Sequence, residues 1–506
     1  MFQTKDIKFS FRFSVKPDCI SLLIPMEMSP KIAVITFLIG VMTVVSCKKD
    51  QIITDSSAKL AFSTSSVLYD TVFTTVGSVT KIFIVYNKNS QPINISSIKL
   101  ARGTSSNFRI NVDGLKGVSF SNVEIAGKDS LFVFAQVTVD PNGQNNPLII
   151  RDSVVFETNG NTQDVDLEAW GQDAHFYTPN IFPADGFPGY SVIACNATWT
   201  NDKPHVIYAY AVVKAGCTLT IAAGTKVFMH PNAVLYVDSG ATLKITGTIS
   251  NPVVFQGDRL EVEYAEAAGQ WGTIWLSPQS KNNTIDWAII KNGFIGVKVD
   301  TLGASVNPTL TISNTIIKNM SAAALFAQGS YVKGWNCVFA NCGQYVAALT
   351  IGGKYDFYHC TFANYWNNGV RQFPVLLLNN YYKDVNENIQ SRDLDSAFFY
   401  NCIVYGDINS GDEMKLDSSG NTTFRYKFHN TLLRTKFDTT GSQYENVVVN
   451  MDPHFNDPAN NDYRVNSAYS SVIAKGDNAF RYLFLYDLSG NFRWPTITPG
   501  AYEHIP

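Results

Sequence analysis

Apolar and polar positions alternate in a short block that recurs through the second half of the chain. It runs Trp287–Asn292, Asn314–Asn319, Asn336–Asn341, His359–Asn364, Asn401–Gly406 and Asn430–Thr435. Successive copies are spaced by 27, 22, 23, 42 and 29 residues. Side chains two apart in a strand share a face, so each copy has an inward and an outward set. One column is small (Ala288, Thr315, Cys337, Cys360, Cys402, Thr431) and another wholly apolar (Ile290, Ile317, Phe339, Phe362, Val404, Leu433). Both share a parity and are expected to stack inside. Between the copies lie further β-type runs, at 296–299, 324–327, 347–350, 375–378 and 414–416. A repeat of roughly 20–30 residues built from short strands predicts a solenoid of two or three strands per coil, stacked in parallel: a β-helix.

The other columns refine the picture. The first position, Trp287, Asn314, Asn336, His359, Asn401 and Asn430, is mostly polar and is expected to face out. The sixth holds Asn292, Asn319, Asn341 and Asn364, read here as an axial ladder of hydrogen-bonded amides; a plain turn preference of Asn is the alternative. The column Ile289, Ile316, Val338, Thr361, Ile403, Leu432 has the outward parity yet is almost entirely apolar. β-branched residues suit any pleated surface. The sharper expectation is a stripe covered by the N-terminal domain, a loop or a partner.

Upstream, a different pattern holds. Short strands are expected at 67–73, 81–86, 93–100, 108–112, 131–139, 153–157 and 165–170, separated by turn signals at Asp113-Gly114, Pro141-Asn142-Gly143 and Asn159-Gly160. About seven such strands predict an immunoglobulin-like β-sandwich. The fold class is therefore all-β. The sandwich spans 59–174, a Pro-containing linker 175–190, and the β-helix 191–506.

The N-terminus reads as a targeting segment. Residues 1–27 lack a globular pattern and are read as an upstream extension. Met28-Ser-Pro-Lys is followed by an apolar run, 32–45, and then Ser46-Cys47. A basic start, a short apolar core and a small residue before the cut make a signal peptide, and the run is shorter than the roughly 20 residues of a spanning helix. Val44-Val45-Ser46-Cys47 resembles a bacterial lipobox, which implies lipidation at Cys47 and a membrane contact through that lipid. An ordinary secretory signal or an uncleaved anchor is the alternative. Lys48-Lys49-Asp50 resembles the charged stretch that directs some Gram-negative lipoproteins to the cell surface, so the expected location is the outer membrane. Residues 47–58 form the lipidated end and tether.

Three further resemblances follow from quoted motifs. Ala223-Gly224-Thr225-Lys226-Val227, Gly240-Ala241-Thr242-Leu243-Lys244, Asn251-Pro252-Val253-Val254-Phe255 and Trp271-Gly272-Thr273-Ile274-Trp275-Leu276 resemble the first coils of right-handed β-helices of the pectate-lyase-like superfamily; the hand is implied by that resemblance. Pro92-Ile93-Asn94-Ile95 with Ile98-Lys99-Leu100 resembles choice-of-anchor and ASH-type sandwiches. Asp452-Pro453-His454-Phe455, Asp487-Leu488-Ser489-Gly490-Asn491-Phe492-Arg493 and Gly500-Ala501-Tyr502-Glu503 resemble the ending of choice-of-anchor Q proteins, with Thr498-Pro499 where that family usually has an acidic and an aliphatic residue.

Composition narrows function. Charged residues are only 16% and aromatics 13%, which suits a turn-rich all-β protein. A net charge of −3 gives no electrostatic case for nucleic acid. Eight cysteines are too few for a disulfide scaffold. Cys195 and Cys217 could pair in an exported protein; Cys337, Cys360 and Cys402 are expected as small buried residues, and His359 as a surface or groove histidine. No zinc spacing occurs, and no cofactor or metal is implied. Calcium-dependent lyases of this fold need clustered carboxylates, which the block lacks. Hydrolases of the fold resemble a set of Asn-Thr-Asp, Asp-Asp, Gly-His-Gly and Arg-Ile-Lys motifs, and none occurs in the chain.

The 42-residue step marks an insertion, 379–396. It carries Tyr381, Tyr382, Lys383, Asp384, Glu387, Arg392, Asp393 and Asp395, with Tyr365, Trp366 and Arg371 nearby. Long loops on rigid scaffolds tend to carry function. Arg392, Asp393, Asp395 and Glu387 are candidates for acid–base cleavage of a glycosidic bond. Tyr365, Trp366, Tyr381, Tyr382 and Arg371 are candidates for binding sugar, against the commoner fate of packing. The favoured reading is a lipid-anchored, non-catalytic surface protein presenting a face to a glycan or an envelope protein. The alternatives are a polysaccharide lyase, hydrolase or epimerase using the insertion, and a structural spacer.

Overall fold

The computed structural model describes residues 51–505, apart from 74–77, 140–147, 185, 301–305 and 466. The signal segment, Cys47 and the Pro141–Gly143 turn lie outside the described residues. Among those residues there is no α-helix. Three long parallel sheets of 11, 9 and 10 strands dominate, and each coil gives one strand to each in turn. One coil runs Ile316–Met320, Ala323–Gln328, Tyr331–Trp335, and the next begins at Val338–Cys342. The architecture is a β-sandwich followed by a right-handed parallel β-helix, the hand that parallel crossover connections take.

Register makes the columns vertical. Ile317 lies beside Phe339, Phe339 beside Phe362, and Phe362 beside Val404, all buried. Cys337, Cys360 and Cys402 each stand one residue before the register partners Val338, Thr361 and Ile403 and are all buried in one core, so the three thiols share one interior line. Neighbouring coils sit about 4.8 Å apart. Aromatic rings therefore stack along the axis, as in Phe339–Phe362 at 5.0 Å and Phe399–Phe428 at 5.0 Å.

The ladder of amides lies elsewhere than expected. All six block-initiating residues have positive φ, between 46° and 52°, and form the corner before each strand. Asn336 Nδ2 donates to Asn314 Oδ1 at 3.2 Å, and Asn401 lies 3.1 Å from His359 Nε2. Asn336, His359 and Asn401 are buried, not outward-facing. The sixth-position amides bond other partners; Asn364, for example, closes both of its bonds on the Cys342 backbone. The corner needs a left-handed residue in each coil, and Asn tolerates it best after Gly. A seventh copy of the block, Asn446–Asn450, continues the corner with Asn446 at 52°.

The sandwich pairs Ala61–Phe62, Lys81–Tyr86, Ser130–Val137, Phe108–Val112 and Leu115–Gly117 in one sheet. The other holds Ser66–Phe73, Asn161–Gln172, Leu148–Thr158, Ile93–Leu100 and Ser119–Ile125. Both enclose one apolar core. Among these ten strands pairing is antiparallel except between Asn161–Gln172 and Ser66–Phe73. At Asp113-Gly114 and Asn159-Gly160 both residues have positive φ, the geometry a tight hairpin turn requires.

Two boundaries differ from expectation. His175–Tyr177 lies inside the expected linker yet pairs in parallel with His205–Ile207, so the coil starts there. At the other end the last coil strand is Val448–Val449, and the remaining chain folds back as a strap across the block sheet. Tyr463, Leu488 and Ala501 cover Val338, Ala340 and Ala363, while Val465 and Val472 cover Ile403 and Leu432. From Ile316 to Leu432 the apolar outward column is covered by the chain's own C-terminal segment. Arg493 anchors that segment, bonding Asn336 Oδ1, the Gly500 carbonyl and Glu503. A disulfide joins Cys195 and Cys217 in the opening coils.

Candidate functional site

The 379–396 insertion is a β-hairpin, with Tyr381–Lys383 paired to Ile389–Ser391. Some of its polar residues hold its own turn, and others tie it to the neighbouring coil. Asp384 accepts from the Asn386 and Asn388 amides across the turn, and Lys383 pairs with Glu387 at the exposed tip. Asp393 accepts the Thr423 amide. Among the described residues, no hydrogen bond or ion pair joins Arg392, Asp393, Asp395 and Glu387 to one another. Tyr381 bonds Asp417 at 3.1 Å, and Tyr382 is exposed.

Arg371 is a structural cation. Its guanidinium is 5% exposed and meets Glu413, wholly buried, at 2.7 Å and Asp407 at 2.8 Å. Glu413 also accepts the Val375 and Ile408 amides. Tyr365 packs under the strap against Phe455 and Tyr463, and burial pushes its phenol well up. Trp366, the next residue, is different: it lines a cleft.

That cleft is built by three segments over the block sheet. The first is a loop, 258–270, inserted between the strands Val253–Gly257 and Thr273–Leu276 and containing the short 3-10 helix Val262–Tyr264. Asn292 holds it through the Tyr264 and Ala265 carbonyls, and Gln270 through Tyr264 and Ala267. The second is 366–368, and the third is the strap at 459–461. One part of the cleft, about 420 Å³, is lined by Glu266, Lys318, Asn319, Asn341, Trp366–Asn368 and Ala459–Asn461. A second, about 490 Å³, shares Glu266, Trp366 and Asn368 and adds Val262, Glu263, Ala265, Ala267, Ala268 and Ser321.

Glu266 stands at the centre. Its carboxylate meets Lys318 Nζ at 2.8 Å, Lys291 Nζ at 3.2 Å and Asn319 Nδ2 at 2.5 Å. Partial burial opposes its charge, but Lys318 and Lys291 outweigh that and hold the carboxyl below its usual value. Asn341 is tied to Asn461, to the Tyr365 amide and to Tyr463. Asn367 and Asn368 are exposed. Sequence reading singled out Trp366 but missed Glu266 and the lysines. Two signals pointed there: the long gap between the 253–257 and 273–276 strands, and Lys recurring at the fifth block position as Lys291 and Lys318.

Two other groups of polar residues occur. At the seam between sandwich and coil, His230 lies 2.6 Å from Asp258 beside a pocket of about 250 Å³. At the first coil, ligand atoms of His175, Asp202 and His205 lie within 4.8 Å of one another. Both His205 nitrogens are already engaged, with Tyr177 and the Thr200 carbonyl, and the ring stacks on Trp199 at 4.5 Å. Burial holds its imidazole down at about 4. A cation there would have to displace these bonds.

Residues 191–299 match a family model described as a pectate-lyase like beta helix domain. Among solved structures, the chain is similar to a thermostable GH87 alpha-1,3-glucanase catalytic unit from Streptomyces thermodiastaticus, at 10% identity over 72% of this chain and 88% of that one, TM-score 0.22. It is similar to the seventh ASH/PapD-like domain of human CEP192 at 9% identity, over 25% of this chain and 92% of that one, TM-score 0.16. It is also similar to a family 123 glycoside hydrolase from Clostridium perfringens at 11% identity, over 22% of this chain, TM-score 0.16. The chain spans only a quarter of that hydrolase, and a third of the Vibrio cholerae VesB protease. No curated protein matches.

Proposed function

We propose that this chain is a lipid-anchored envelope protein whose β-helix binds glycan, without turnover, in the cleft around Trp366 and Glu266. The observation that carries this reading is the make-up of the cleft: one half-buried indole wall among asparagine amides, on a rigid stack of coils. Sugar rings take an aromatic face on one side and directional polar partners on the other. Catalysis of glycosidic cleavage needs a carboxyl able to deliver a proton. Glu266 is ion-paired to two lysines, and among the described residues no hydrogen bond or ion pair joins Arg392, Asp393, Asp395 and Glu387 to one another. The alternatives are a lyase, hydrolase or epimerase acting through the hairpin, and a pure spacer.

Anchoring rests on the Val44–Cys47 motif. The tether and the sandwich would then hold the β-helix off the bilayer, with the outer membrane as the site. Mass spectrometry of the mature N-terminus is expected to find acyl groups on Cys47, and Cys47→Ala should move the protein to the soluble fraction; an unmodified cysteine sinks the anchor. For the cleft, retention of the full chain on immobilised polysaccharides is expected to disappear in Trp366→Ala. Reducing ends or unsaturated products accumulating over time would replace the binding reading with the enzymatic one.

A further inference from the structure

We infer that the cleft takes an uncharged glycan and turns polyuronates away. The inference rests on the glycan-binding reading of the same cleft and goes further by naming the class of sugar.

A site for acidic sugars needs cations free to meet carboxylates. Here the two ammonium groups, Lys291 and Lys318, are both bonded to Glu266. Their side chains are 18% and 17% exposed, whereas that of Glu266 is 51% exposed. The charge offered to an incoming ligand is therefore the carboxylate, with the lysines beneath it. Glu263 adds a second acid to the adjoining part of the cleft. A uronate would meet the more exposed carboxylate first, and reaching either ammonium means breaking its ion pair, a loss that water screens only in part.

The remaining polar lining is neutral. Asn367 and Asn368 are exposed beside Trp366, and among the described residues no hydrogen bond engages their amides. Each amide offers two donors and an acceptor, which suits hydroxyls and gives no preference for a charged group. Glu266 Oε1 and Oε2 are acceptors that neutral hydroxyls can share.

Affinity electrophoresis of the full chain separates the outcomes. Gels would carry β-glucan, mannan or xylan in one set and polygalacturonate or alginate in the other, at low and at high salt. Retardation is expected in at least one neutral gel, unchanged by salt, and lost in Trp366→Ala. The wild-type chain should migrate freely through the polyuronate gels. Glu266→Gln keeps the shape and releases both ammonium groups, so it should gain salt-sensitive retardation in polyuronate. Salt-sensitive retardation of the wild type in polyuronate would overturn the neutral assignment and leave the cleft standing. A folded Glu266→Gln with no such gain would also overturn it. Free migration in every gel, or neutral retardation that survives Trp366→Ala, would overturn the cleft itself.

Discussion

A left-handed corner asks for a residue that accepts positive φ and can bond along the axis. Asn does both, and four of the six block-initiating positions hold it. His359 is the exception with a measurable consequence. It is wholly buried, and among the described residues its Nδ1 has no hydrogen-bond partner. Burial, reinforced by Arg493, holds its imidazole well below the ordinary range. The sign follows from linkage. An imidazole depressed in the folded state favours folding fully above its unfolded value, about 6.5, and that contribution is lost as pH falls below it. The urea midpoint of the wild type should therefore drop between neutral pH and about pH 5. In His359→Asn, which restores the residue of neighbouring coils, the drop should be smaller, while His205 keeps part of it. An identical pH slope in the two proteins would show that His359 does not titrate on unfolding. Tolerance for Asn at this position was legible in the repeat. Burial of His359 was not, because it depends on a strap more than a hundred residues further along the chain.

At the scale of elements, local patterning carried the strands and failed wherever contacts were distant. All seven expected sandwich strands formed, since each shows its alternation within a few residues. His175–Tyr177 was missed because a three-residue strand among prolines has no period to read. Arg371 looked like a loop cation because nothing near it in sequence marks Glu413 as its partner. The strap shows no repeat of its own, but the apolar column it covers had already signalled a cover. Val338 sits under Tyr463 and Leu488 and is 1% exposed. Val338→Asp places a carboxylate in that dry contact and removes apolar burial, a cost of about 2–5 kcal/mol. Limited proteolysis should then cut the strap beyond residue 450 while the coil survives. An intact strap in a folded Val338→Asp protein would mean that the segment is held by Arg493 and the asparagine corner alone.

Across the whole molecule, stacking makes each coil depend on its neighbours, so the open ends are where unfolding should begin. Each end has a different device. The C-terminal coils are gripped by the strap through Asn401 and Asn430. The N-terminal coils lean on the sandwich through Phe73 and Phe228, 4.9 Å apart, with Val206 and Ala174 in the same cluster. They also carry the Cys195–Cys217 bridge, which spans 22 residues. Closing a loop of that size constrains the unfolded chain by about 3 kcal/mol. In a chain whose coils unfold from the ends, that loss should be felt locally before it is felt globally. Hydrogen exchange on the Cys195→Ser, Cys217→Ser double variant is therefore expected to lose protection over 190–222 first. The Phe339–Phe362 coils, sealed by neighbours on both sides and by the strap, should keep theirs until global unfolding. Equal loss along the whole helix would mean that the coils melt as one unit, with the bridge acting on all of them. A Trp366 cleft sited on central coils would then lose rigidity with the bridge, and glycan retention would fall in the double variant. With end-first unfolding, retention stays at the wild-type level.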